Sequence, residues 1–154
     1  MLSDLAWLPP PPANFRESVK VLRAEAVAPG DNFYERAVAL ATAALDENQL
    51  GKLARLARET VAGGSPPPSF ARARLGLIGD GTLSLLAPVI AGSGLRHGLL
   101  IDVIEGAYGS AVQQAMDPSG PLHGAGLDML LVACDVRSLG LNRAADSIVG
   151  HNFD

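Results

Sequence analysis

The residues best placed to do chemistry are Gly79-Asp80-Gly81-Thr82, where the apolar run 73–79 stops and a helix-like stretch begins. A carboxylate and a hydroxyl at the end of a strand suit either phosphoryl transfer or ester hydrolysis. Phosphoryl transfer through an aspartyl phosphate needs an attacking carboxylate two positions before Asp80, with Asp80 handling the leaving-group proton. That position holds Ile78, and an aliphatic side chain cannot form an acyl phosphate. The missing carboxylate also weakens any Mg2+ site, which wants hard oxygen ligands. Ester hydrolysis would need serine where Gly81 stands, and a late Asp-x-x-His. Asp146 and His151 do not have that spacing, and Ser84 lies about one helical turn too late. Cys134, at the end of an apolar run, reads as a buried inert thiol; a reactive one would need an electropositive, exposed setting, and only Arg137 is near in sequence. His97, His123 and His151 show no metal-ligand spacing.

A purely structural account is also open. Gly79 and Gly81 permit a tight strand-to-helix turn, and Thr82 or Asp80 can cap the helix that follows. Against it, two glycine-containing strand ends, at 79–82 and 105–108, are more than packing demands. A vestigial pocket and a working ligand site both remain possible readings of the stretch.

The elements that must position these residues follow from periodicity. The runs "ARLGLIG", "LLIDVI" and "DMLLVAC" begin at 73, 99 and 128 and alternate with helix-like stretches near 83–93 and 109–116. That is the βαβ rhythm of a parallel sheet. In such sheets ligands gather beyond the C-terminal strand ends, here Gly79 to Thr82, Glu105 to Tyr108, and Asp135 to Arg137. Pro88 belongs in a first turn or at a kink, and a further helix is expected near Leu141.

Upstream, 13–61 reads as a small helical subdomain. Asn14-Phe-Arg-Glu17 and Asn32-Phe-Tyr-Glu35 have capping-box spacing. Phe15, Val19 and Leu22 make one apolar stripe, and Phe33, Ala37, Leu40 and Ala44 a second. A third helix over 46–58 turns Leu50, Leu53, Leu56 and Ala57 inward. Residues 62–72 form a linker around "AGGSPPPS". Prolines 9–12 make 1–12 an extended arm, with Trp7 either packed on the domain or offered to a partner. The expected fold is therefore α/β, three-layered, with a mostly parallel, flavodoxin-like sheet over 73–154 preceded by the helical subdomain.

Composition narrows the function classes. The chain has 154 residues, 48% of them apolar, and a net charge of −4. Clustered Lys/Arg of the kind nucleic acid requires is missing beyond Arg72 and Arg74. One cysteine excludes an internal disulfide and multi-thiol zinc sites. No apolar run approaches a membrane span. Asp4 and the prolines do not suit a signal peptide, so a cytoplasmic location is expected, with neither nucleic acid nor membrane as partner. Tyr108, Gln113, Asp117 and Ser119 fall in the connection 107–124, where Asp117-Pro118-Ser119-Gly120 is also a good turn by itself.

Two stretches carry a family likeness. "LAWLPPPPANFRE" (5–17) and 73–139 resemble FkbH-like proteins of the haloacid-dehalogenase (HAD) superfamily. The shared features are Gly79-Asp80-Gly81-Thr82, Arg96-His97-Gly98, Tyr108-Gly109 with Gln113, Asp117-Pro118-Ser119 with Leu122, and Leu127-Asp128. The resemblance implies an SGNH-like N-terminal domain of a glyceryl-carrier-protein synthase of polyketide biosynthesis. Such a protein takes glyceryl from a bisphosphoglycerate and loads it onto the phosphopantetheine thiol of an acyl carrier protein. The phosphate chemistry, with Mg2+ and a D-x-D-x-T motif, belongs to a C-terminal HAD domain, so the chain is expected to be part of a longer protein with no cofactor of its own. The resemblance implies substrate or partner binding by Asp80, Gly81, Thr82, Tyr108, Gln113, Asp117, Ser119 and Arg137. An acidic carrier would need a basic patch, expected from Arg72, Arg74, Arg96 and Arg137. The alternatives are an SGNH-type esterase or acyltransferase using Ser84 or Cys134, and a non-catalytic module that forms a homodimer through Trp7 and the proline arm.

Overall fold

The structure is a computed structural model and describes residues 7–62, 68–107, 111–120 and 122–134. Three helices come first: α1 (Phe15–Glu25), α2 (Phe33–Ala41) and α3 (Glu47–Ala62). The apolar stripes fall inward as their spacing predicts. Phe15, Val19 and Leu22 are buried on α1, Phe33, Ala37 and Leu40 on α2, and Leu50, Leu53, Leu56 and Ala57 on α3. Ala44 lies past the end of α2, and Ala41 takes its place in the stripe. Helix α3 runs on to Ala62 rather than stopping at Arg58.

The expected capping boxes do not form at Asn14 and Asn32. Their backbones (φ −93°, ψ 20° and φ −97°, ψ 10°) continue the turn instead of adopting the extended geometry that folds a side chain back onto the first turn. The reciprocal box sits at α3. The Asp46 N–H donates to Gln49 Oε1 at 2.9 Å, and the Gln49 N–H donates to Asp46 Oδ1 at 2.8 Å. Arg23 binds Glu59 through Nε (2.7 Å) and Nη2, tying α1 to α3. Arg36 Nη1 reaches both oxygens of Glu25, tying α2 to α1.

Leu8, not Trp7, anchors the proline arm. Leu8 is buried, and Pro9 accepts a bond from the Ala44 N–H at 2.8 Å. Trp7 is 73% exposed, which overturns the expectation that it packs on the domain.

Three strands follow: β1 (Ala71–Gly79), β2 (Leu99–Glu105) and β3 (Met129–Ala133). They are parallel, in the order β2-β1-β3, the order in which a flavodoxin-like sheet opens. Helices α4 (Leu86–Gly94) and α5 (Ala111–Met116) lie in the two crossovers, with Pro88 in the first turn of α4. The register pairs Leu75 with both Val103 and Met129, so Leu75 to Gly79 are central and buried. Alternation along the strands puts Ile101 and Gly76 on opposite faces. Helix α4 packs against Ile101 on one face, while Leu122 and Leu127 cover Gly76 and Ile78 on the other. The result is the expected α/β fold, with helices before the sheet.

Phe70, Leu95 and Leu100 join Phe15, Phe33 and Leu53 in one buried cluster. Phe70 sits edge-on to Phe33 and Tyr34, with ring centroids 6.4 and 4.8 Å apart. The chain therefore enters β1 anchored to the helical core, which fixes the N-terminal ends of β1 and β2. Among the described residues, no helix is long and apolar enough to cross a membrane.

Candidate functional site

At the C-terminal ends of β1 and β2 lies a crevice of about 280 Å3, lined by Gly79, Gly81, Thr82, Ser84, Glu105 and Gly106. This is where topology places a site in an open parallel sheet.

The two glycines of the loop do different jobs, and neither has a positive φ. At Gly79 a Cβ would run into the carbonyl oxygen of Ala133, so glycine is what lets β3 come close to β1. At Gly81 a Cβ would meet nothing within 4 Å.

Asp80 stands between them. Its Oδ2 is buried and has no hydrogen-bond partner among the described residues. Buried polar atoms are almost always paired, and exceptions tend to mark function. Neither Asp80 nor Thr82 caps the next helix, contrary to expectation. Helix α4 starts only at Leu86, behind a Leu85 cap, and the Leu86 and Ala87 N–H groups donate to the Leu83 carbonyl at 2.8 and 3.1 Å. The Asp80 carboxylate is thus not consumed by local structure.

The remaining expected residues divide. Tyr108 and Arg137 lie outside the described residues, as do Asp146, His151 and the helix expected near Leu141. Gln113 is exposed on α5. Its neighbour Gln114 instead reaches the crevice wall: Nε2 donates to the Ala107 carbonyl at 3.3 Å, and its Oε1 packs over Gly106. The Gln113-Gln114 pair left the choice to a one-residue phase that a six-residue helix barely defines. Asp117 and Ser119 form a turn with each other. The Ser119 hydroxyl and N–H both donate to Asp117 Oδ1, at 2.6 and 3.0 Å, and the Gly120 N–H donates to the Asp117 carbonyl at 3.0 Å. Those bonds, the Ser119 hydroxyl first, hold the Asp117 carboxyl below the usual carboxylate range. Glu105, expected just beyond the second strand, is the last residue of β2 and lines the crevice.

Of the expected basic patch, Arg137 lies outside the described residues, and two of the other three arginines make internal bonds. Arg96 donates to the Ala41 and Ala43 carbonyls at 3.0 and 3.3 Å and so closes the C-terminal end of α2. Arg74 donates to the Ala125 carbonyl at 2.8 Å and faces Asp102.

No nucleophile–base pair forms among the described residues. Ser84 lines the crevice, but its hydroxyl has no hydrogen-bonded base. Cys134 is half-buried against the Ile78–Leu122 cluster. His97 lies just before β2, at the end of the sheet away from the crevice. The donor set does not fit Mg2+ either. Ile78, where an aspartyl nucleophile would stand, is 1% exposed and packed on Leu122. No group of three His, Cys, Asp or Glu side chains converges among the described residues.

No family model matches the chain, and neither does any curated protein. Among solved structures, it is similar to the N-terminal part of the protein BF1531 from Bacteroides fragilis, a fragment containing a phosphatase domain and solved in complex with Mg. The TM-score is 0.52 at 20% identity, over 65% of this chain and 24% of that one. The likeness is one of fold, and it covers about a quarter of the length of that solved fragment.

Proposed function

We propose that this chain is the N-terminal α/β domain of an FkbH-like protein that forms glyceryl-S-acyl carrier protein from bisphosphoglycerate for polyketide extender units. On this reading the domain binds the end of the carrier's phosphopantetheine arm, or the glyceryl group it receives, while a separate HAD domain with Mg2+ does the phosphate chemistry.

The observation that carries the reading is the unpartnered Asp80 oxygen, buried between two glycines that line a crevice without a nucleophile–base pair among the described residues. That oxygen accepts a hydrogen bond, and the hydroxyls and amides of a glyceryl thioester or a pantetheine arm are donors. The Glu105 carboxylate on the crevice wall, with Asp80 next to it in the loop 79–82, disfavours a phosphorylated ligand by like-charge repulsion. The space, about 280 Å3, suits a small neutral group rather than a whole bisphosphate. Fold likeness to part of a phosphatase-containing protein is consistent with a binding domain that accompanies a catalytic one.

Titration of isotope-labelled protein with holo-acyl carrier protein, free pantetheine and phosphoglycerate tests this. The expected result is shifts at the amides of 79–84 and 105–106 with the first two probes and weaker shifts with the third. Unmoved amides there with carrier in large excess would remove the assignment.

A further inference from the structure

Strand β3 leaves its apolar side chains open. Met129, Leu130, Leu131 and Val132 are consecutive, and each is between 41% and 51% exposed. Successive side chains of a strand point to opposite faces, so both faces of β3 are half open. Its outer edge is free as well: among the described residues β3 pairs with β1 alone. A continuous apolar run belongs to strands buried on both faces of a parallel sheet, yet here it forms the rim. The opposite rim is built differently. Strand β2, which likewise pairs only with β1, carries exposed Asp102 and Glu105. Charges of that kind keep an edge from pairing with another chain, and Met129–Ala133 has neither a charge nor a proline.

A strand fits such an edge better than a helix does, because the edge offers a row of backbone donors and acceptors with apolar side chains on either side. The sequence after 134 supplies no matching run: in 135–154 no more than two apolar residues stand together. The strand is complementary to itself. Turned antiparallel about Leu131, Met129 comes opposite Ala133, Leu130 opposite Val132, and Leu131 opposite its own copy. Every pair is apolar, and the two unlike pairs join a longer side chain to a shorter one. No like charges meet. Asp128 falls opposite Cys134, and its carboxylate is already held by the Arg74 N–H at 2.7 Å.

We infer that β3 is the pairing edge for a second copy of this chain, joining two three-stranded sheets into one six-stranded sheet through an antiparallel, two-fold β3–β3 contact. The contact uses the same surface on both copies, so it closes at two. It does not depend on the function proposed above, and it involves neither Trp7 nor the proline arm. The surface is small. One five-residue strand on each side falls below a standard interface, which sets a weak association with a dissociation constant of roughly 10–100 µM.

The test is sedimentation of the full chain from about 1 µM to about 1 mM, together with disulfide trapping. Wild type should pass from one copy to two across that range. Leu131→Lys sets two ammonium groups face to face and should raise the dissociation constant at least about 10-fold. Val27→Lys, at an exposed apolar residue away from the sheet, should leave it unchanged. In a Cys134→Ser background, Leu131→Cys should give a covalent dimer on mild oxidation, because directly opposed Cα atoms lie about 4.5–5.5 Å apart, within disulfide reach. Met129→Cys should not, because the two copies of residue 129 would stand about 14 Å apart along the strands. The trapping pair decides the matter if Leu131→Lys unfolds the chain. A chain that stays single throughout, a dimer that folded Leu131→Lys leaves intact, or trapping as fast at 129 as at 131 overturns the inference. So do β3 amides that exchange as slowly at the lowest concentration as at the highest, since another stretch of the same chain would then cover the edge.

Discussion

Removing the Asp80 carboxylate should make the protein more stable and less able to bind. Most substitutions destabilise, so a gain is a discriminating outcome. Asp80 Oδ2 is buried without a partner, and an unsatisfied buried acceptor costs about 1–3 kcal/mol. Because Asp80 as a whole is half-buried, the low end, about 1 kcal/mol, is the sensible figure. Asp80→Ala recovers that and loses little packing. For a chain of 154 residues, 1 kcal/mol moves the midpoint by roughly 2–4 °C. Thermal and urea unfolding of Asp80→Ala should show a rise of that size, while the pantetheine-induced shifts at 79–84 disappear. Asp80→Asn keeps the shape and one acceptor, so its Tm should lie between the two. A fall in Tm for Asp80→Ala beyond roughly 2 °C would mean the carboxylate is structural, and the argument for a ligand there would collapse.

The two loop glycines should separate sharply. Gly79→Ala drives a Cβ into the Ala133 carbonyl and is expected to cost about 1–3 kcal/mol in urea unfolding. Gly81→Ala, with open space around its Cβ and no positive φ, should be neutral or stabilising by up to about 1 kcal/mol. Ile78→Asp, which rebuilds the phosphatase-like D-x-D, should give no phosphatase activity with Mg2+ and should unfold or strongly destabilise the chain. It buries an unpaired charge against Leu122. Acid unfolding should report the Arg23–Glu59 pair. The hydrogen bond from Arg23 holds Glu59 below its ordinary value of 4.5, so the pair's contribution is present above that pH and fades as pH falls through the lower folded value. Glu59→Gln should lower Tm at neutral pH and converge with wild type as the pH falls from 4.5 through the lowered folded-state value. Parallel curves would refute the linkage.

What sequence could convey here depended on how far away the cause of each feature lies. The strands and helices were legible because apolar runs and stripes with periods of 2.0 and 3.6 are local signals. Topology then located the crevice without any motif, since parallel strands bring their C-terminal ends together. Misreadings arose where a partner is remote or a backbone angle decides. Asn14 and Asn32 had the right spacing and the wrong ψ, while Asp46 and Gln49, with equal spacing, closed the box. Trp7 and Leu8 are adjacent and equally apolar, and only the shape of the domain surface chose Leu8. Within Gly79-Asp80-Gly81 three neighbouring residues took three fates: close approach to Ala133, an unpaired oxygen, and open space. Ile78 was legible as apolar but not as core. Its side chain is part of the packed face that Leu122 covers, so a carboxylate at that position would be buried among apolar neighbours instead of facing the crevice. Gly81, Thr82, Ser84 and Glu105 line the crevice from the loop and the strand end, and substitutions there cost the sheet less than one at position 78.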